Sequence, residues 1–83
     1  MIENLNETVE MMNSSDYKER FKAEYYQLEY RTKKLIKMLD DWTYGNLNFE
    51  PKCSYDLLEA QAVYMQEYKR LLELRAEKEG IVL

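Results

Sequence analysis

Apolar residues recur at helical spacing along three stretches of the chain. Ile2, Leu5, Val9 and Met12 share one side of a helix, with Glu3, Glu7 and Glu10 on the other. This predicts a short amphipathic helix over residues 1–13, ended by Asn13, Ser14 and Ser15. Such a short helix is unstable alone and must dock on something or fray. The next stretch runs Tyr17, Phe21, Tyr25, Leu28, Thr32, Leu35, Leu39, Trp42 in steps of three and four, close to a heptad seam. It predicts one helix over 16–42, opened by Asp16 with Glu19 at capping-box spacing. Gly45 and Asn46 then favour a turn, and Pro51 disfavours helix at Glu50. Leu47 and Phe49 are placed to pin the loop.

The third stretch is predicted helical from an N-cap at Ser54 to about Glu79. Asp56 favours the helix dipole at its start. Gly80 stands where a left-handed C-cap is wanted, with Ile81 as its hydrophobic partner. Two long helices of similar length joined by one loop make an antiparallel hairpin the simplest fold. On the third stretch Leu57, Leu58, Met65, Tyr68 and Leu72 define one face, while Ala60, Val63, Leu71 and Leu74 spread onto a second. One partner helix covers a stripe only about 100° wide. The surplus face therefore calls for another chain or for the N-terminal segment. The expected fold is all-α: a hairpin domain over 16–83 plus the short N-terminal helix over 1–13, assembled as a homo-oligomer. A dimer is the commonest such state.

Composition supports assembly. A chain of 83 residues is marginal as a lone domain. One cysteine excludes an internal disulfide, and the absence of histidine argues against a structural metal. A net charge of −4 argues against duplex nucleic acid as a partner. No apolar run approaches the roughly 20 residues of a membrane span. With a lone cysteine and no signal-type segment, the expected location is a reducing cytoplasm.

Enzyme motifs are absent: no histidine for general-base work, no phosphate loop, no nucleophile elbow. The chain is therefore expected not to be an enzyme, and to need no metal and no cofactor. Cys53, in a loop before a helix start, reads as a small buried residue. Asp40 and Asp41 are adjacent and diverge on a helix, which suits a solvated pair.

Eight tyrosines are the feature that points to binding. On the third stretch the stripe Gln61, Met65, Tyr68, Leu72, Arg75, Glu79 is expected to be buried. Its polar members at seven-residue spacing admit two readings. They set register in a helical assembly, or they line a ligand pocket where chains meet. In the second reading Gln61 reads a base edge or sets register, Tyr64 or Tyr68 stacks on a ring, and Arg75 grips a phosphate. The first long stretch offers another surface. Lys22, Tyr26, Tyr30, Lys33 and Lys37, with Arg31 nearby, suit a nucleotide or a solvated face with snorkelling lysines.

The stretches "DYKERFKAEYYQLEYRTKKLIKML" and "GNLNFEPKCSYDLLEAQAVYMQEYKRLLELRAEKEGI" resemble a family of small helical-hairpin proteins of tailed phages and prophages, named after a protein of a gut crAss-like phage. The resemblance rests on Leu58, Gln61, Met65, Tyr68, Leu72, Arg75, Ala76, Glu79 and Gly80, preceded by an L-x-F-x-P loop at Leu47, Phe49 and Pro51. Where many members carry Cys-Pro, this chain has Cys53 and Ser54. The resemblance implies a hairpin fold in an infected bacterial host. By analogy with other small phage proteins, it implies an oligomer that sequesters a nucleotide signal of host immunity. Such signals are ADP-ribose derivatives of TIR-domain enzymes or cyclic oligonucleotides. The candidate ligand-binding residues are Tyr64, Tyr68, Arg75, Tyr26, Tyr30 and Arg31. The alternative is a protein-interaction module, an inhibitor or adaptor of a host or virion protein, working through the second apolar face.

Overall fold

The computed structural model describes residues 2–83; Met1, the first residue of the expected N-terminal helix, lies outside them. A 3-10 turn over Leu5–Thr8 leads into the single turn α1, Val9–Met12. Two long helices follow, α2 over Tyr17–Thr43 and α3 over Tyr55–Glu79. The contacts between α2 and α3 pair the start of one with the end of the other. Tyr17 meets Glu79, Tyr25 meets Glu73, and Thr43 meets Tyr55. This is the antiparallel hairpin, 43 Å along its longest axis. A helix of 27 residues rising about 1.5 Å per residue fills that length.

Local chemistry sets the helix ends. The Asp16 carboxylate accepts from the Lys18 backbone N–H at 2.9 Å. The reciprocal bond of a capping box does not form: the Asp16 N–H donates to Ser14 Oγ at 3.0 Å, and the Glu19 carboxylate lies 3.6 Å from Lys22. Ser54 Oγ accepts from the Leu57 N–H at 3.2 Å and opens α3. Gly80, at φ 71°, closes it in the left-handed conformation that glycine adopts without a Cβ penalty. The Ile81 N–H then donates to Ala76 O at 2.9 Å, which turns the Ile81 side chain into the core.

Phe21, Tyr25, Leu72, Ala76 and Ile81 form the core cluster, with Tyr26 and Leu28 packed against it. The α2 seam follows the expected line through Phe21, Tyr25, Thr32 and Leu39. The α3 seam does not. Its buried residues are Ala62, Leu72 and Ala76, with Leu58, Met65 and Lys69 half-buried; Gln61, Tyr68 and Arg75 are exposed. Met65 and Leu72 belong to both stripes, and the alanines decide between them. Ala76 takes little space, so the bulky Phe21 and Tyr25 of α2 can approach the α3 backbone there; Ala62, about four turns back, does the same near Ile36 and Leu39. Tyr25 is buried but keeps its hydroxyl satisfied by donating to Glu73 at 2.6 Å. Burial first, and the Glu73 carboxylate second, raise its pKa above the ordinary tyrosine value.

Three other expectations change. The N-terminal segment buries Thr8 fully, while Val9 and Met12 stay exposed. A 3-10 turn has about 3.0 residues per turn, which rotates the inward face away from the α-helical spacing. Thr8 Oγ1 donates to Leu5 O at 2.7 Å and accepts from Gln27 Nε2 at 2.8 Å, so the buried hydroxyl is paired on both sides. Cys53 is exposed rather than buried, since the groove linings that bring loop residues 45–51 against α2 do not reach it. Of the two apolar loop residues, Leu47 is half-buried and Phe49 is 54% exposed.

Candidate ligand-binding site

Two grooves lie between the long helices: one of about 280 Å³ toward the loop, between Leu39 and Ala62, and one at their middle. The middle one is open to solvent and holds about 170 Å³, lined by Glu24, Gln27, Leu28 and Arg31 of α2 and Tyr68 of α3. Arg31 lies on the α2 flank beyond the seam residue Leu28, and Tyr68 on the α3 flank beyond Met65 and Leu72. Residues that miss the seam on each helix therefore converge beside it. The N-terminal segment braces one wall through the Gln27–Thr8 bond. The arrangement sets an aromatic face, a guanidinium, an amide and the Glu24 carboxylate around one concavity. Those groups can stack on a ring, grip an anion and read a polar edge.

Arg75, seven residues beyond Tyr68, is about 10 Å further along α3. Its Nε donates to Glu79 Oε2 at 3.0 Å and its Nη2 donates to Tyr17 OH at 2.8 Å. Its guanidinium also lies 4.9 Å from the centre of the Phe21 ring. Tyr17 donates to the same Glu79 carboxylate. These side chains clasp the open end of the hairpin and hold Arg75 in place with 52% of its side chain still exposed. The Tyr17 hydroxyl and then Arg75 hold the Glu79 carboxyl below its ordinary value of 4.5. The bond to Glu79 raises the Tyr17 phenol above 10.0.

Both shifts stabilise the fold between those limits. A depressed carboxyl contributes stability above its unfolded pKa and loses it as pH falls through the folded value. A raised phenol contributes below its unfolded pKa and loses it as pH rises through the folded value. Thermal melts of wild type and Glu79→Gln are therefore expected to differ by a constant amount between about pH 5 and 9 and to converge in acid. A difference unchanged down to pH 2 would show that the clasp does not depend on the Glu79 charge.

The other sequence candidates are dispersed. Tyr64 is 75% exposed on the outer side of α3. Tyr26 packs edge-on against Tyr25, ring centres 5.8 Å apart, and supports the core rather than standing free. Tyr30 carries the Lys34 ammonium 5.2 Å from its ring centre. Arg31 and Tyr68 are thus the pair brought into one groove. Sequence reasoning missed another, larger groove of about 560 Å³ at the loop end of the hairpin, where Leu47 and Phe49 face Lys34, Leu35, Lys37 and Met38. Its signal was the apolar pair in the loop, read only as a pin.

Among the described residues no three carboxylate or cysteine side chains gather as a metal site, and no helix is long and apolar enough to cross a membrane. No curated protein and no solved structure shows significant similarity to the chain. The family described as Sequestin matches residues 15–78, which takes in α2, the loop and all but the end of α3 and leaves the N-terminal segment outside. On that match the chain belongs to the Sequestin family.

Proposed function

We propose that the chain binds a small nucleotide-derived anion and holds it without cleaving it. Membership in a family named for sequestration carries this reading. The Arg31–Tyr68 groove supports it with the chemistry such a ligand needs. Tyr68 stacks on a base, Arg31 pairs with a phosphate, and Arg75 takes a second anionic group. Tyr64, Tyr26 and Tyr30 extend the aromatic surface. In this reading the ligand is a signal of bacterial immunity, an ADP-ribose derivative of a TIR-domain enzyme or a cyclic oligonucleotide. The chain is then a phage anti-defence protein working in the cytoplasm of the infected host. It is not an enzyme and uses no cofactor.

The groove in one chain is smaller than the roughly 300–1,000 Å³ typical of small-molecule sites. The chain also offers a surface to a second copy. Val63, Leu71 and Leu74 leave about half of their surface exposed on the outer face of α3. Glu59 lies near the start of that helix and Lys78 near its end. Antiparallel pairing of two copies sets the one beside the other.

The test is a thermal-shift panel of cyclic dinucleotides, cyclic trinucleotides and ADP-ribose isomers, run with light scattering. A ligand at 100 times its dissociation constant is expected to add about 2.7 kcal/mol, to raise the melting midpoint, and to be recovered intact after heat release. A flat response across the panel, with a host or virion protein captured through the outer face of α3, would favour the interaction-module reading. A cleaved ligand would overturn sequestration, and a strictly monomeric mass of 10.1 kDa at tens of micromolar would overturn assembly.

A further inference from the structure

The groove at the loop end differs in kind from the one at mid-hairpin. Its floor is apolar, made by Leu35 and Met38 of α2 and Leu47 of the loop, and Phe49 forms a wall. Phe49 is 54% exposed although it sits beside a groove that could bury it. It also borders a smaller groove, about 240 Å³, on the Trp42 and Pro51 side, so its ring stands between two concavities. A loop phenylalanine left in water forgoes stabilisation that burial would supply. Leaving it at the mouth of a cavity is the arrangement expected where a ligand supplies the missing surface.

The rim is cationic. Lys34 and Lys37 both border the cavity, and the acidic Asp41 offsets only Lys37, at 3.0 Å. Lys34 pairs with no carboxylate among the described residues; it is held over the Tyr30 ring. A local surplus of positive charge in a chain of net charge −4 selects for an anion. Asn46 adds an amide at the edge. The volume, about 560 Å³, is within the range of drug-sized ligands.

We propose that this groove is a binding site for a small organic anion with a flat apolar body. The body lies on Leu35, Met38 and Leu47 against the Phe49 ring, and the acidic group meets Lys34. Phe49 closes on the body from its half-exposed position. The site shares no residue with the Arg31–Tyr68 groove, so it stands or falls separately from sequestration.

The probe is 1-naphthyl phosphate, titrated into the full chain labelled for amide NMR, with neutral 1-naphthol as comparison. Saturable shifts are expected around Lys34, Met38, Leu47 and Phe49. Phe49→Ala and Lys34→Glu are each expected to weaken binding by about tenfold or more, as is loss of the phosphate in 1-naphthol. Both side chains are exposed, so helix content by circular dichroism should be unchanged. Shifts spread along the outer face of α3, affinity unmoved by both substitutions, or naphthol binding as tightly as its phosphate would overturn the proposal.

Discussion

Leu72→Ala is expected to destabilise the hairpin by about 2–5 kcal/mol. Leu72 is 1% exposed and is the side chain around which Phe21, Tyr25, Ala76 and Ile81 close. Its α3 neighbour in the seam, Ala76, is already minimal and cannot fill the space that truncation leaves. A chain of this length has about 4–12 kcal/mol of total stability at ordinary values per residue. The loss is therefore a large fraction of the whole, and the Tyr17–Arg75–Glu79 clasp, anchored over the same cluster through Phe21, should loosen with it. Urea unfolding at fixed protein concentration checks this: the midpoint should fall by at least about 1 M at unchanged slope. Val82→Ala, at a position 82% exposed, should stay within about 0.5 kcal/mol of wild type. If Leu72→Ala behaved like Val82→Ala, the core would lie elsewhere.

The fold was legible in the sequence wherever a residue's role is local. Ser54 and Gly80 act within one turn of their own helix, so spacing alone located both ends of α3. The α2 seam was legible because Phe21, Tyr25 and Leu39 leave no competing stripe of equal bulk. On α3 two stripes share Met65 and Leu72, and Tyr68 offers far more apolar surface to bury than Ala62 or Ala76. What decides is the bulk of the α2 side chains opposite, Phe21 and Tyr25 at Ala76 and Leu39 at Ala62, which is information about a partner far away in the chain. The site was partly legible for the same reason. Arg31 and Tyr68 were each visible as displaced from a seam, but their meeting depends on the register between helices. The clasp was half visible: Arg75 and Glu79 stand one turn apart, whereas the Tyr17 hydroxyl that joins them comes from the far end of the hairpin. The loop groove was not visible at all, since an apolar loop residue reads the same whether it pins a loop or borders a cavity.

Reversing one charge gives the largest expected effect on the proposed activity. Arg31→Glu is expected to reduce affinity for the nucleotide ligand by about 100-fold or more, near 2.7 kcal/mol. The substitution removes a charge-assisted contact and places a carboxylate beside Glu24 in the same groove, so the ligand's phosphate meets repulsion where it met a cation. Arg31→Lys keeps the charge but loses the planar two-point grip, and should fall between the two. Arg75→Ala should also weaken binding, by about tenfold or more. Its guanidinium is shared with Glu79 and Tyr17, so the ligand gains less from it than from Arg31. Calorimetric titration of each variant with the ligand found by the thermal panel, beside its mass by light scattering, separates contact from assembly. Arg31 is exposed and lies off the outer face of α3, so the oligomer mass should not change. Full affinity in Arg31→Glu would remove the mid-hairpin groove as the site. Lost affinity together with a reduced mass would make Arg31 an assembly residue, and the ligand contact would then have to be sought along Tyr68 and Arg75.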